Sequence, residues 1–174
     1  MQQPAQRVGV FVDAQNLYHS AKSLFGPDAM VDYRSLLEWA VAERSLIRAV
    51  VYVIDIEGVD QSAFFDVLRR LRFEIRAKLA RMMPDGSRKA DWDMGIAMDT
   101  IALAEKLDTV ILVSGDGDFT DLVRFLQVRG VRVEILGFPA TTAGILKDTA
   151  DLFRPLDTTI IQMRRDAGRR EPEL

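Results

Sequence analysis

Two aspartates in one short turn are the residues of this chain best placed to do chemistry. Residues 110–114 (VILVS) form an apolar run typical of a buried strand, and Gly115-Asp116-Gly117-Asp118 follows it directly. In open α/β sheets, ligands bind at the carboxyl ends of the strands. Two carboxylates one residue apart repel each other unless a cation, a proton or a helix terminus compensates. The turn therefore predicts either a cation site or a helix cap.

Acids from two other segments are predicted to reach the same edge of the sheet. Asp13 directly follows the first apolar run, residues 8–12, just as Asp116 follows the later one. Asp93 immediately precedes the helix that leads back into VILVS. With Asp118 these acids form a predicted cluster of four carboxylates. Oxygen ligands without His or Cys suit Mg²⁺ or Mn²⁺ rather than zinc, and such a site supports in-line attack of an activated water on a phosphodiester.

Each acid also has a simpler explanation as a helix cap. Asp93 and Asp118 are good N-cap residues, and Asp118 with Asp121 three positions later resembles a capping pair. Asp13 is harder to explain in this way, since no cap position obviously requires it. Taken singly, each acid is open to either interpretation, whereas four acids on one rim favour the cation site.

Polar and aromatic neighbours of the acids have weaker assignments. Asn16 either positions a phosphate or a water, or caps a turn. Ser114 either donates to a ligand or is a satisfied hydroxyl at the end of a strand. His19 is the single histidine and has no triad partner, so it is assigned to a surface or half-buried position on a helix. Tyr18 and Trp92 flank the acids and can either stack on a base or pack in the core.

Charge is distributed unevenly along the chain. The formal net charge is −3, yet residues 69–89 include eight basic residues and two acids. If four aspartates hold metal, the remainder of the chain is slightly positive, so the overall acidity does not exclude a phosphate-backbone ligand. A phosphate track toward the acids is one interpretation of this basic run, and a solvated charged face is the other. The residues assigned to the track are Arg76, Lys78, Arg81, Arg88 and Lys89.

Length and composition indicate one globular domain. The 174 residues are 48% hydrophobic and 28% charged, which is ordinary for a protein that buries a core. No apolar run approaches the length of a transmembrane helix and the first residues lack a signal-peptide layout, so no membrane association is expected. The absence of cysteine excludes disulfides, a thiolate metal site and a Cys nucleophile, and it fits a cytoplasmic protein.

Strand and helix patterns alternate, which predicts a three-layer α/β/α domain around a mainly parallel sheet. The predicted strands are residues 8–12, 49–54, 73–80, 109–114 and 131–136, with 73–80 nearer the sheet edge and a short extended piece at 152–156. The predicted helices are residues 17–24, 33–44, 94–106, 119–129 and 143–150, with one more capped by Asp60 or Ser62. The domain is predicted to span residues 8–156, between an N-terminal lead (1–7) and a C-terminal tail (157–174).

Three segments together resemble a known family. VFVDAQN, KADWDMGIAMD and VILVSGDGDF, in this order and spacing, look like the NYN domain of the LabA-like group, and the similarity covers about residues 7–156. Such domains are PIN-like nucleases related in fold to the 5′-nuclease superfamily, so the resemblance implies a Rossmann-like fold and a metal-dependent ribonuclease. Carried over by position, the residues implied to hold Mg²⁺ or Mn²⁺ are Asp13, Asp93, Asp116 and Asp118, with Asn16 as a polar partner. Asp91 and Asp99 lie in the same block with less defined roles.

The predicted function is therefore hydrolysis of RNA phosphodiester bonds, with RNA as the partner. If such domains assemble at all, a homodimer is the commonest form. The first alternative is a non-catalytic RNA-binding or regulatory module on the same fold. A phosphatase of the haloacid dehalogenase type is less favoured, because the second acid that it needs two residues after Asp13 is replaced by Gln15. Dinucleotide binding is poorly supported, since no GxGxxG or P-loop pattern follows a strand.

Overall fold

A computed structural model describes residues 5–82, 84–85 and 88–164, with the side chains at positions 81, 82, 88 and 89 outside that description. The strands, in chain order, are β1 (Arg7–Asp13), β2 (Ala29–Val31), β3 (Ser45–Asp55), β4 (Glu74–Leu79), β5 (Arg81–Met82), β6 (Arg88–Lys89), β7 (Thr109–Val113), β8 (Arg132–Gly137), β9 (Leu152–Pro155) and β10 (Ile161–Met163). The helices are α1 (Ala14–Phe25), α2 (Tyr33–Val41), α3 (Ser62–Arg70), α4 (Asp93–Leu103), α5 (Thr120–Val128) and α6 (Gly144–Thr149).

A parallel sheet lies at the centre of the described residues. It has six strands in the order β4-β3-β1-β7-β8-β9, and every neighbouring pair is parallel. The predicted three-layer α/β architecture is confirmed, and β4 lies at the sheet edge as its alternating pattern predicted. Among the described residues, no helix is long and apolar enough to cross a membrane.

Two apolar cores cover the two faces of the sheet, which explains why its central strands are apolar along their whole length. Val10 and Val12 of β1 face a core that includes Leu17, Leu36 and Leu68 from α1, α2 and α3. The intervening residue of β1, Phe11, faces the other core, which contains residues of α4, α5 and α6. The sheet is therefore a rigid platform that carries helices on both sides.

Two pairings between very short strands are the part of the fold that sequence patterns did not predict. β10 pairs antiparallel with β2, and β5 pairs antiparallel with β6. Strands of two or three residues are too short to show the alternation by which a strand is recognised. The C-terminal segment that was predicted to begin at residue 157 thus contributes a strand, while residues 165–174 lie outside the described residues.

A buried ion pair fixes the end of α2 against the sheet. The predicted helix 33–44 ends earlier, at Val41, because Ala42 adopts a left-handed conformation with φ of 52°. This turn directs Arg44 inward, where its Nη1 lies 2.9 Å from Oε1 of Glu134 on β8. The two side chains are 0% and 1% exposed. Burial alone raises the pKa of Glu134, but Arg44, with smaller contributions from Arg154 and Arg132, outweighs it and holds that pKa below its usual value.

Glu134→Gln should lower the free energy of unfolding by about 3 kcal/mol, because it leaves the Arg44 guanidinium buried without its charged partner. Urea unfolding at neutral pH measures the loss. The matched control is Asp66→Asn, which removes an exposed ion pair to Arg69 and should change the free energy of unfolding by less than about 0.5 kcal/mol. Equal effects of the two substitutions would contradict a special role for the buried pair.

Candidate metal centre

Parallel pairing of β1 with β7 sets the position of the acids. Val12 pairs with Val113, so Asp13 and Ser114 leave the two strands side by side. Each strand ends in a turn that begins a helical segment, α1 after β1 and a 3₁₀ turn (Gly117–Phe119) followed by α5 after β7. The carboxyl ends of these two central strands therefore form one rim, as the predicted proximity of Asp13 and Asp116 requires.

Asp13 is buried at this rim and held in place by hydrogen bonds. It caps α1, since its Oδ1 accepts from the backbone N–H of Asn16 at 3.1 Å. Its Oδ2 accepts from the hydroxyl of Ser114 at 3.2 Å. The expectation that no cap position needs Asp13 is wrong, because α1 begins at Ala14 rather than at residue 17. Burial raises the pKa of Asp13 even though these hydrogen bonds act to lower it.

The turn after β7 is built by its own polar groups. Asp116 caps the 3₁₀ turn, because its Oδ1 accepts from the backbone N–H of Asp118 at 2.9 Å. The N–H of Asp116 donates to the Ser114 hydroxyl at 3.2 Å. The N–H of Gly115 donates to Oδ1 of Asn16 at 2.8 Å. Asn16 and Ser114 therefore tie the start of α1 to the turn that carries the two acids.

Glycine is required at position 115 by close packing. A Cβ there would lie 2.5 Å from the carbonyl oxygen of Thr141 and 3.0 Å from Cα of Thr142. The backbone of the same segment continues the contact, since the N–H of Ala143 donates to the carbonyl oxygen of Gly115 at 2.9 Å. The segment between β8 and α6 thus supports the turn from behind. This support was not predicted from the sequence, in which the glycine itself is its only local signal.

Asp93 completes a triad of carboxylates. One carboxylate oxygen from each of Asp93, Asp116 and Asp118 lies within 4.8 Å of the other two. The alternative interpretation of Asp93 and Asp118 as N-caps is not supported, because Asp93 is the first residue of α4 and Asp118 lies within the 3₁₀ turn. The position before α4 is held by Trp92, which makes no side-chain cap hydrogen bond. Capping therefore does not account for the positions of Asp93 and Asp118.

Burial and mutual repulsion together set the electrostatics of the site. Burial, then the negative charges of Asp116, Asp91, Asp13 and Asp118, raises the pKa of Asp93 to about 6. Among the described residues, no basic side chain forms an ion pair with any member of the triad or with Asp13. Three hard oxygen donors without a compensating cation fit a divalent ion such as Mg²⁺ or Mn²⁺. Asp93, Asp116 and Asp118 are the residues that would hold it. Asp13, the fourth predicted ligand, lies near enough for its charge to help raise the pKa of Asp93.

Two further acids from the predicted block lie in other surroundings. Asp99 accepts a hydrogen bond from the hydroxyl of Tyr52 at 2.9 Å and lies 3.4 Å from Nε of Arg76. Asp91 is exposed, and its backbone carbonyl accepts from Nζ of Lys78 at 2.8 Å. The charge of Asp91 helps to raise the pKa of Asp93. Asp99, which lies on α4, belongs to a separate network with Tyr52 and Arg76.

The predicted phosphate track is only partly available for a ligand. Arg76 is ion-paired with Glu74 at 2.9 Å as well as with Asp99. Lys78 lies 4.4 Å from the centre of the Trp92 ring. The side chains of Arg81, Arg88 and Lys89 lie outside the described residues. Arg76 and Lys78 thus stabilise the β4 edge, and sequence reasoning could not foresee partners that come from distant segments.

The aromatic and histidine candidates also receive definite positions. Trp92 is half-buried, and its Nε1 donates to the carbonyl oxygen of Val53 at 2.9 Å, so it packs as part of the core. Tyr18 is exposed on α1, with its ring 5.3 Å from that of His19, which is also exposed. Tyr18 remains accessible to a ligand base, whereas His19 keeps its assignment to a helix surface.

Asp116→Asn should stabilise the metal-free protein and remove its response to Mn²⁺. The substitution relieves repulsion within the triad but keeps an Oδ1 acceptor for the N–H of Asp118. Thermal unfolding in EDTA should give a higher Tm for Asp116→Asn than for wild type, and Mn²⁺ should raise the Tm of wild type but not that of Asp116→Asn. Asp121→Asn, at an exposed ion pair with Arg124, is the matched control and should behave as wild type. An identical Mn²⁺ response of both variants would contradict the metal centre.

Metal affinity should fall as the pH is lowered through about 6, because the pKa of Asp93 is raised to about 6 and the metal must displace that proton. The free energy of unfolding without metal should instead rise as the pH is lowered. The folded pKa exceeds the unfolded value of 3.8, so the contribution of this group is present at low pH and is lost as the pH rises through about 6. Titration calorimetry with Mn²⁺ and thermal unfolding in EDTA, both between about pH 5 and about pH 7.5, measure the two trends. Asp93→Asn should weaken both, and unchanged pH profiles in that variant would assign the trends to another group.

Comparison with known proteins places this geometry in a family. The chain matches the family model of the NYN domain over residues 7–157. It is 24% identical over 160 residues to the low amplitude and bright protein LabA of Synechococcus elongatus, a similarity that covers 87% of this chain and 84% of LabA. The crystal structure of a protein of unknown function from Vibrio parahaemolyticus is similar with a TM-score of 0.83 and 35% identity, over 93% of this chain and 100% of the other.

These similarities confirm the resemblance and the fold that the sequence predicted. The solved structure is consistent with a PIN-like α/β fold at high structural similarity. The family match spans nearly all of the sheet and both helical layers, and it includes each member of the acidic triad. The chain belongs to the NYN domain family, whose members are typically PIN-like nucleases.

Proposed function

We propose that this protein is a metal-dependent ribonuclease that hydrolyses RNA phosphodiester bonds. The observation that carries the proposal is the convergence of Asp93, Asp116 and Asp118, from two separate segments, to within 4.8 Å of one another. Carboxylates at such distances without a basic partner suit a divalent cation. Membership of a family of typical nucleases supports phosphodiester hydrolysis as the chemistry.

The triad would hold Mg²⁺ or Mn²⁺, and the bound ion would supply Lewis-acid stabilisation of the charge that develops on the phosphate and on the attacking water. The protein supplies the geometry around it. Asp116 is oriented by its hydrogen bond from Asp118, and the turn is fixed to α1 through Asn16. These bonds hold the carboxylates before substrate arrives, which avoids a reorganisation cost during reaction.

Asn16 is suited to contact the substrate as well. Its Oδ1 accepts from Gly115, which directs the amide group toward the turn. Among the described residues, none accepts a hydrogen bond from its Nδ2, so this donor is available to a phosphate oxygen. Asn16 would then position the scissile phosphate against the triad.

The phosphatase alternative is disfavoured by the environment of Asp13. A nucleophilic aspartate must present a free oxygen to phosphorus, whereas both oxygens of Asp13 accept hydrogen bonds and the residue is 8% exposed. The position two residues later, where that chemistry needs an acid, is the exposed Gln15. No structural feature argues in the same way against a non-catalytic RNA-binding module. The experiment below therefore distinguishes that alternative from a nuclease.

Purified protein should cleave labelled single-stranded RNA in the presence of Mn²⁺ or Mg²⁺, and EDTA should abolish cleavage. Asp116→Asn and Asp93→Asn should each lower the cleavage rate by at least about 100-fold, because a metal that stabilises the transition state contributes several kcal/mol. Gel electrophoresis of the products measures the rate. A DNA strand of the same sequence, assayed alongside, tests whether RNA is the preferred substrate.

Asp121→Asn is the control for loss of one negative charge near the site, and it should cleave at the wild-type rate. RNA binding without cleavage in either metal, unchanged in the triad variants, would support the non-catalytic module instead. Cleavage that survives EDTA and both triad substitutions would overturn the assignment of these residues.

A further inference from the structure

A cleft on the opposite helical layer combines three arginines with an apolar floor. It lies between α2 and the segment that joins α3 to β4, and its volume is about 210 Å³. Its lining residues are Arg34, Leu37, Glu38, Arg70, Leu71 and Arg72. The helices beside it pack on the face of the sheet that contacts α1, whereas α4, which carries Asp93, packs on the other face. The cleft is therefore separate from the acidic triad.

The arginines of this cleft differ from most others in the protein, because they have no acidic partner. Among the arginines with described side chains, those that form ion pairs are Arg7, Arg44, Arg48, Arg69, Arg76, Arg124, Arg129, Arg132 and Arg154. Arg34, Arg70, Arg72 and Arg164 form none with the described residues. Three of these four line one cleft. Glu38 offsets one of the three charges without forming an ion pair, so the cleft keeps a positive excess.

Arg72 occupies a backbone position that favours glycine. The N–H of Phe73 donates to the carbonyl oxygen of Leu68 and the N–H of Arg72 to that of Arg69, which is the Schellman arrangement at the end of α3. Arg72 is the left-handed residue of this motif, with φ of 63°. Glycine would adopt this conformation without steric cost. The backbone thus holds an arginine at the cleft in a conformation that glycine adopts more readily.

The geometry points to a phosphate-binding cleft formed by Arg34, Arg70 and Arg72. Guanidinium groups bind phosphate through paired N–H donors and remain charged at all physiological pH values. Arg34 comes from α2, while Arg70 and Arg72 come from the end of α3, so the three donors approach a ligand from two elements. The phosphate comes either from a polynucleotide backbone or from a free phosphate compound, and the apolar floor of Leu37 and Leu71 accommodates the attached sugar or base.

Arg72→Gly separates binding from stability. The Tm of this variant should equal or exceed that of wild type, because glycine suits the left-handed conformation. Its affinity for a fluorescein-labelled single-stranded RNA, measured by anisotropy in EDTA, should fall about tenfold. The slope of log affinity against log salt should decrease in magnitude by about 0.7 for each phosphate that the variant no longer neutralises. Arg34→Gln should have the same effect on binding, and Arg124→Gln, on α5 of the other layer, is the control for loss of one positive charge.

A second measurement identifies the source of the phosphate. Titration calorimetry with pyrophosphate tests a free phosphate compound on the same three variants. If Arg72→Gly and Arg34→Gln lose RNA affinity and wild type does not bind pyrophosphate, the cleft is assigned to a polynucleotide backbone. If the two variants lose pyrophosphate binding but keep their RNA affinity, it is assigned to a free phosphate compound. Wild-type RNA affinity, salt dependence and pyrophosphate binding in both variants would overturn the proposal. This test measures binding in EDTA and not cleavage, so its outcome does not depend on whether the protein is a nuclease.

Discussion

Parallel pairing between β1 and β7 is the constraint on which the candidate site depends. It brings two strand ends to one rim, so that Asp13 and the turn carrying Asp116 and Asp118 lie next to each other. Hydrogen bonds from Asn16 and Ser114 then convert this proximity into a fixed arrangement. The apolar runs of both strands are buried on both faces, and a shift of register by one residue would move every side chain into the wrong core and disrupt its packing. Core packing and site geometry are therefore enforced by the same residues.

This arrangement places the stability of the fold and the chemistry of the site in opposition. The triad gathers negative charge without a described basic partner, and the raised pKa of Asp93 is the electrostatic consequence. The repulsion among these carboxylates is offset by the buried cores on both faces of the sheet and by ion pairs elsewhere, above all that between Arg44 and Glu134. Strain concentrated where a ligand can relieve it is a common property of functional sites.

The sequence predicted features that are encoded locally and failed on features that arise from distant partners. The α/β fold and the rim position of Asp13 and Asp116 followed from apolar runs and from the residues directly after them. The choice of Asp116 rather than Asp118 as the cap depends on how the backbone turns after β7, which no residue type specifies. The involvement of Arg76 with Glu74 and Asp99 depends on which segments the fold brings beside β4. Pairing of β2 with β10 joins residues far apart along the chain and left no periodic signal.

The charged residues of β4 have a consequence for the protein at high concentration. In the described part of the chain, no strand pairs with the outer edge of β4, so its backbone N–H and C=O groups there have no partner in the sheet. Glu74, Arg76 and Lys78 alternate along this edge, and bringing two such edges together would desolvate their charges. These charges therefore oppose aggregation through this edge. Arg76 and Lys78 have this effect whether or not RNA is present.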